Sequence, residues 1–326
     1  MSSHSKVTAI LALISFLSLG LFGCGAELAS ETAADYPNGH LLVDTEWVAD
    51  RVDETNVLII DTRAPEAYAE GHVPGAVNIP VSDIASTINE IPMEFDQSEV
   101  QAALNSSGLA PEMTAVIYDN LGMMDAARLF WTLEYVGHED VRILNGGWNA
   151  WEAAGHAVTT DVAEVEPSTY PISLDSDKIA TAAEILANLG APEVVIVDAR
   201  SPQEYSGEVK LADRGGHIPG AVNLVWLDAL SGGDTVYTIN DNWRTELQDE
   251  DVEIFKSADE IQALLDEQGI TPEKEVITYC QTLWRGAHVY FLLRLMGFDD
   301  VRGYDGSWAE WGNRADLPVE SGSEPG

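Results

Sequence analysis

Val57-Leu58-Ile59-Ile60-Asp61-Thr62-Arg63-Ala64-Pro65 returns, at an offset of 137, as Val194-Val195-Ile196-Val197-Asp198-Ala199-Arg200-Ser201-Pro202. Each is a continuous apolar run, the pattern of a strand buried on both faces of a parallel sheet. The repeat continues toward the C-terminus of each copy. Gly71-His72-Val73-Pro74-Gly75-Ala76-Val77-Asn78 returns as Gly216-His217-Ile218-Pro219-Gly220-Ala221-Val222-Asn223, at an offset of 145, so the second copy gains eight residues around Glu208 to Gly215. Gly108-x2-Pro111 and Tyr118 return as Gly269-x2-Pro272 and Tyr279 at an offset of 161, while Trp148-x2-Trp151 returns as Trp308-x2-Trp311 at 160. The register therefore drops by one just after Cys280. Internal repetition of this kind decides the architecture.

Within each copy, short apolar runs alternate with amphipathic stretches. Val116 to Tyr118 and Val276 to Tyr279 read as further strands, and Ser98 to Ser107 and Ser257 to Gln268 have helical spacing. Ser257-x-x-Glu260 has the form of a capping box, and Gly269 ends that helix. The alternation predicts an α/β fold of two tandem domains, each a central, mostly parallel sheet flanked by helices. The expected divisions are residues 41–160 for the first domain, 161–177 for a linker, 178–319 for the second domain and 320–326 for a tail. The acidic, Pro-containing stretch from Thr159 to Asp177 lacks periodicity and suits the boundary.

The chain of 326 residues carries 55 acidic against 16 basic residues, a formal charge of −39. Such a balance repels nucleic acid and anionic lipid and favours solubility in a salty medium. Nucleic acid is thus excluded as a partner. Arg51, Arg63, Arg128 and Arg142 are the basic residues between Cys24 and Glu166, and the rest beyond Lys6 fall between Lys178 and Arg314. A small anion would accordingly be handled in the second half.

Val7 to Leu21 is an apolar run preceded by Lys6, too short to span a bilayer and suited to a signal peptide over residues 1–23. Leu21-Phe22-Gly23-Cys24 resembles a bacterial lipobox, which makes Cys24 the acylation site, residues 24–40 a tether, and the protein exported and lipid-anchored on the periplasmic side of the cell envelope. An ordinary secretory signal or an uncleaved anchor is the alternative. An acylated Cys24 would leave Cys280 as the sole thiol in an oxidising compartment. A buried, inert small hydrophobe is the plain structural reading of such a cysteine.

Cys280 follows the apolar run Val276 to Tyr279 and precedes Gly286 to Met296, which has helical spacing. The carboxyl ends of strands are where open α/β sheets bind ligands. A connecting loop over Cys280-Gln281-Thr282-Leu283-Trp284-Arg285 would point backbone N–H groups inward and add the positive end of a helix dipole, both of which stabilise an anionic sulfur.

Asp-x-Arg-x-Pro-x-x-Tyr and Gly-His-x-Pro-Gly-Ala-x-Asn, then strand-Cys-loop-Arg, then Gly-x-x-Asp-Val-Arg and Asp305-Gly306-Ser307-Trp308, resemble the rhodanese family. Their duplication resembles its tandem-domain thiosulfate and mercaptopyruvate sulfurtransferases, over approximately Leu41 to Pro318. The resemblance implies that Cys280 takes a sulfane sulfur, holds it as a persulfide and passes it to a thiophilic acceptor, with no cofactor and no metal. It also implies a silent first domain, because Asp119 stands where the second copy has Cys280 and a carboxylate cannot form a persulfide. Related phosphatases use Cys-x5-Arg, whereas Cys280 to Arg285 is the shorter spacing of sulfur transfer.

Arg285 is expected to orient an anionic donor, with Gln281, Thr282, Leu283, Trp284 and Gly286 lining the donor site. Thiosulfate is the preferred donor over 3-mercaptopyruvate, although the Gln-Thr-Leu-Trp lining matches neither family type. A non-enzymatic sulfur-binding or interaction module is the rival of another class. Arg200 is a further donor-site candidate whose twin, Arg63, favours a structural role. Glu204 departs from members with a basic residue there. His72 and His217 lie in matching turns and read as turn-stabilising, His288 as either tuning Cys280 or packing, and Trp243 and Arg244 as part of an inserted loop, Ser231 to Asp251. No metal-ligand spacing, phosphate loop or dinucleotide fingerprint occurs.

Overall fold

A computed structural model describes residues 35–88, 91–231 and 252–323. The expectations for the signal peptide, Cys24 and most of the tether, and for Trp243 and Arg244, lie outside the described residues.

The first repeat forms β1 (Leu42–Val43), α1 (Thr45–Ala49), β2 (Val57–Asp61), α2 (Pro65–Glu70), β3 (Val77–Asn78), β4 (Ser86–Ile88), β5 (Ile91–Glu94), α3 (Gln97–Ser107), β6 (Thr114–Tyr118), α4 (Met124–Tyr135), β7 (Val141–Leu144) and α5 (Gly147–Ala153). The second forms α6 (Ala182–Ala187), β8 (Val194–Asp198), α7 (Pro202–Ser206), β9 (Val222–Asn223), β10 (Leu230–Ser231), β11 (Ile254–Phe255), α8 (Ala258–Glu267), β12 (Glu275–Tyr279), α9 (Trp284–Leu295), β13 (Val301–Gly303) and α10 (Ser307–Trp311). Strands β1-β7-β6-β2-β3 make one sheet and β13-β12-β8-β9 the other, and every pairing within them is parallel. The α/β reading and the strand runs hold. Two antiparallel hairpins, β4–β5 and β10–β11, carry no periodic signal in sequence.

Helices α4 and α9 form the middle of the molecule. Eleven of the twelve residues of α9 are buried, the mark of a helix with partners on every side. Phe130 and Phe291 meet edge to face at 4.8 Å between ring centroids, and truncating either to Ala would cost about 3–5 kcal/mol. Tyr290 donates to Glu134 at 2.5 Å beside the Arg294–Glu134 pair, so the two repeats are also joined by partly buried polar contacts.

Three stretches expected to be plain connectors are packed. Residues 35–40 do not hang free: Tyr36 is buried and donates to the Lys256 carbonyl, while Asn38 bonds the carbonyls of Arg294 and Leu295 that end α9. An aromatic and an amide suffice to dock them. In the linker, Tyr170 is buried, its backbone N–H donates to Asn105 Oδ1, and Asp175 N–H donates to the Tyr135 carbonyl. Glu320, read as tail, pairs with His217 as Thr159 pairs with His72. Among the described residues, no helix is long and apolar enough to cross a membrane.

Candidate active site

The parallel register sets Asp61 opposite Tyr118 and Asp198 opposite Tyr279 at the carboxyl ends of the central strands. Each tyrosine donates to its aspartate at 2.6 Å, and each aspartate takes an arginine two residues on, Arg63 or Arg200, at 2.6 Å. Arg200 also donates to the Gly216 carbonyl and lies over the Trp308 ring at 4.5 Å. It is 1% exposed, and Arg63 makes the matching contacts with Gly71 and Trp148. The donor-site expectation for Arg200 is not met, because its guanidinium is spent on holding the frame. His72 and His217 stack on Tyr68 and Tyr205 at 3.7 Å and bond the same tyrosines' carbonyls, a turn-fixing arrangement repeated in both halves.

Cys280 directly follows β12 and is 1% exposed. Its backbone is gripped from α10: Trp308 N–H donates to the Cys280 carbonyl and Ala309 N–H to that of Gln281, both at 3.0 Å. Ser307 Oγ accepts from the Cys280 N–H at 3.4 Å, and the Thr282 N–H faces Sγ at 3.4 Å. Leu283 takes a left-handed conformation, φ 65°, that turns the chain straight into α9. The connecting loop is consequently only Gln281 to Leu283. Trp284 and Arg285 belong to the first helical turn, two residues ahead of the expected start.

The sister loop shows what this geometry holds. Asp119 sits at the equivalent place, fully buried, and its carboxylate accepts the N–H groups of Leu121, Met123 and Ala126 at 2.9 Å each. Met123 repeats the left-handed turn at φ 63°. Burial pushes the Asp119 carboxyl up, and the converging amides pull the other way. A loop of this shape is a cradle for an anion at its centre. The first domain fills its cradle with its own side chain. In the second domain the same position offers a sulfur.

The expected lining sorts into different jobs. Thr282 is the partly exposed member of the loop, and Trp284 is 7% exposed. Leu283 is wholly buried, within contact of Gly286 and Gly303, and is core rather than lining. Gln281 donates to the Leu211 carbonyl, tying the loop to the eight-residue insertion of this repeat. Gly286 permits close packing, since a Cβ there would come within 3.0 Å of the Tyr279 backbone. His288 is buried between Phe255 and Trp226, each at 5.0 Å, and burial pushes it down to about 3. It packs, uncharged, inside the molecule.

Arg285 departs furthest from expectation. Its Nη1 and Nη2 donate to Glu204 Oε2 and Oε1 at 2.7 and 2.9 Å. Burial opposes the Glu204 charge, but Arg285, with Arg200 beyond it, holds the carboxyl down to about 2. The fork expected to face a donor is thus bonded to a carboxylate. In the sequence Glu204 stands out only as a departure from a basic residue; nothing local pairs it with a residue 81 positions along the chain.

A model of the rhodanese-like domain matches residues 44–154 and 181–314. The thiosulfate sulfurtransferase of Azotobacter vinelandii is 33% identical over 289 residues, covering 88% of this chain and 99% of that protein. The sulfur carrier protein TtuD of Thermus thermophilus is 32% identical over 304 residues, covering 89% and 99%. Among solved structures, the anaerobic ergothioneine biosynthesis enzyme of Chlorobium limicola superposes with a TM-score of 0.73 at 28% identity, covering 88% of this chain and 71% of that one. A structure of EanB bearing a cysteine persulfide superposes with a TM-score of 0.71 at 28% identity, covering 87% and 71%. With two matched domains, the anion cradle and full-length relatives above 30% identity, the chain belongs to the rhodanese family.

Proposed function

We propose that this sulfurtransferase moves the sulfane sulfur of thiosulfate to a thiophilic acceptor through a Cys280 persulfide. The observation that carries the reading is the paired loop: the Leu121 N–H that bonds the Asp119 carboxyl group in the first domain has its counterpart in the Thr282 N–H that faces Cys280 Sγ in the second. The Cys280 thiolate attacks the outer sulfur of thiosulfate, and the sulfur–sulfur bond breaks with its electron pair leaving on sulfite. The new persulfide anion lies where amide donors converge. A nucleophile such as cyanide or a thiolate then attacks the terminal sulfur and restores the Cys280 thiolate. Arg285, neutralised by Glu204, supports the loop, and the donor's charge falls to the amides.

Thiosulfate as donor is supported by the similarity to the thiosulfate sulfurtransferase of Azotobacter vinelandii. Intact mass after incubation with thiosulfate tests the mechanism. A gain of one sulfur atom, lost on adding cyanide and absent in Cys280→Ser, is expected; no adduct on folded protein would sink it. Comparing initial rates with 3-mercaptopyruvate separates the two donors. The lipobox-like Leu21-Phe22-Gly23-Cys24 supports a second proposal, attachment to the cell envelope through acylated Cys24. Cys24→Ser should release the protein from membranes; unchanged partitioning refutes the anchor.

A further inference from the structure

The two repeats grip each other's loops in a reciprocal way that differs at one place. Phe95 N–H, from the first domain, donates to Asp305 Oδ2 at 2.7 Å, and Phe255 N–H, from the second, donates to Asn145 Oδ1 at 3.1 Å. Asp305 and Asn145 occupy equivalent positions, each opening the turn that leads to the helix gripping the Cys280 or Asp119 carbonyl. Behind Asp305, however, stands Arg128 on α4 of the silent domain, its Nη1 2.7 Å from Asp305 Oδ1, with both side chains buried. The equivalent position on α9 is His288, which packs on aromatic rings.

The turns differ to match. The silent turn is Gly146-Gly147, with φ 77° and 54°, a conformation glycine adopts without cost. The active turn is Gly306-Ser307, and Ser307 sits at φ 49°, where a side chain is strained and persists only if its surroundings hold it. Ser307 also bonds the backbone of Cys280: its hydroxyl donates to the Tyr304 carbonyl and accepts from the Cys280 N–H. From these contacts the structure assigns Arg128, in the silent domain, as a positioning residue for Cys280, acting through Asp305 and the strained Ser307 turn. The first domain thereby supplies part of the machinery it lacks itself. A cation buried against the catalytic turn is needed only where that turn carries a serine and a nucleophile.

This inference rests on Cys280 being the sulfur-accepting nucleophile, and the experiment keeps the two apart. Full-length wild type, Arg128→Met, Arg128→Lys and Asp305→Asn are compared by single-turnover sulfur loading over a range of thiosulfate concentrations, by iodoacetamide alkylation of Cys280, and by thermal unfolding. Displacing a reacting atom by a fraction of an ångström lowers rate more than binding, so Arg128→Met should load roughly tenfold or more slowly at saturating thiosulfate. The half-saturating concentration should stay within about twofold. Arg128→Lys should recover part of the loss, and alkylation should slow in parallel. Wild-type loading and alkylation rates in folded Arg128→Met and Asp305→Asn, even with lowered melting temperature, would overturn the assignment. So would a raised half-saturating concentration at unchanged maximal rate. If Arg128→Met does not fold, Asp305→Asn, which keeps an acceptor for Phe95, decides. If wild type takes up no sulfur, the proposed function falls, and the alkylation rates still decide whether Arg128 positions Cys280.

Discussion

Glu204 and Arg285 share two hydrogen bonds across 81 residues of sequence, and neither side chain is open to solvent. Removing one partner leaves an uncompensated buried charge, so Arg285→Met should lose about 3–5 kcal/mol of stability. Replacing both by methionine should recover most of that loss, since a buried pair adds little over packed apolar groups. On the proposed mechanism, in which the loop amides take the donor's charge, the double variant should also keep its KM for thiosulfate within about threefold, under 1 kcal/mol. Denaturant titration and loading kinetics check both statements. A KM tenfold higher in the stable double variant would restore the donor-orienting role for Arg285.

Asp119 fills the first domain's cradle, its carboxyl oxygens accepting three backbone N–H groups. Asp119→Asn places an amide NH2 against converging N–H donors, which should cost about 1–3 kcal/mol by urea unfolding. Sulfur loading on Cys280 should persist in the same protein. Unchanged stability would mean that the three amide contacts to Asp119 hold no anion of consequence.

His288 and Glu204 both make the fold acid-sensitive, in separable pH windows. Each has a folded value below its unfolded one, about 3 against about 6.5 for His288 and about 2 against about 4.5 for Glu204. Depressed groups contribute stability above the unfolded value and lose it as pH falls toward the folded value. Between pH 6.5 and 4.5, therefore, His288 titrates ahead of Glu204. His288→Leu should remove about 2 kcal/mol of the stability lost across that interval. An identical pH slope in the variant would show that His288 stays neutral in the unfolded chain or charges readily in the folded one.

The legible parts of this molecule were those written locally. Apolar runs ending in Asp-x-Arg, the Ser257–Glu260 capping box and the Cys280 position all depend on neighbours within a few residues, and the repeat supplied Asp119 as an internal control. The sequence places the loop's end two residues too late because the left-handed turn falls on Leu283, not on a glycine. Glu204–Arg285, Arg128–Asp305 and the docking of Tyr36 and Tyr170 join distant segments, and a single sequence carries no period or motif for such pairs. Arg285 itself was found for its spacing from Cys280, but its partner, which decides its charge, was not.

Charge distribution leads to the last prediction. Of the 16 basic residues, eight arginines are engaged in ion pairs among the described residues, several of them buried. Half of the cations are thus engaged in ion pairs, while acidic residues outnumber basic ones by 39 and most have no partner of opposite charge to match them. Self-repulsion of that excess destabilises the compact state, and salt screens it over a Debye length of about 10 Å at 0.1 M and about 3 Å at 1 M. Buried pairs such as Arg128–Asp305 are shielded from the same ions and should not weaken in step. The melting temperature should accordingly rise by several degrees between about 0.05 and 1 M KCl, with most of the gain below about 0.5 M, where screening changes fastest. A melting temperature that is flat or falls over that range would mean that pairing, not repulsion, dominates the surface.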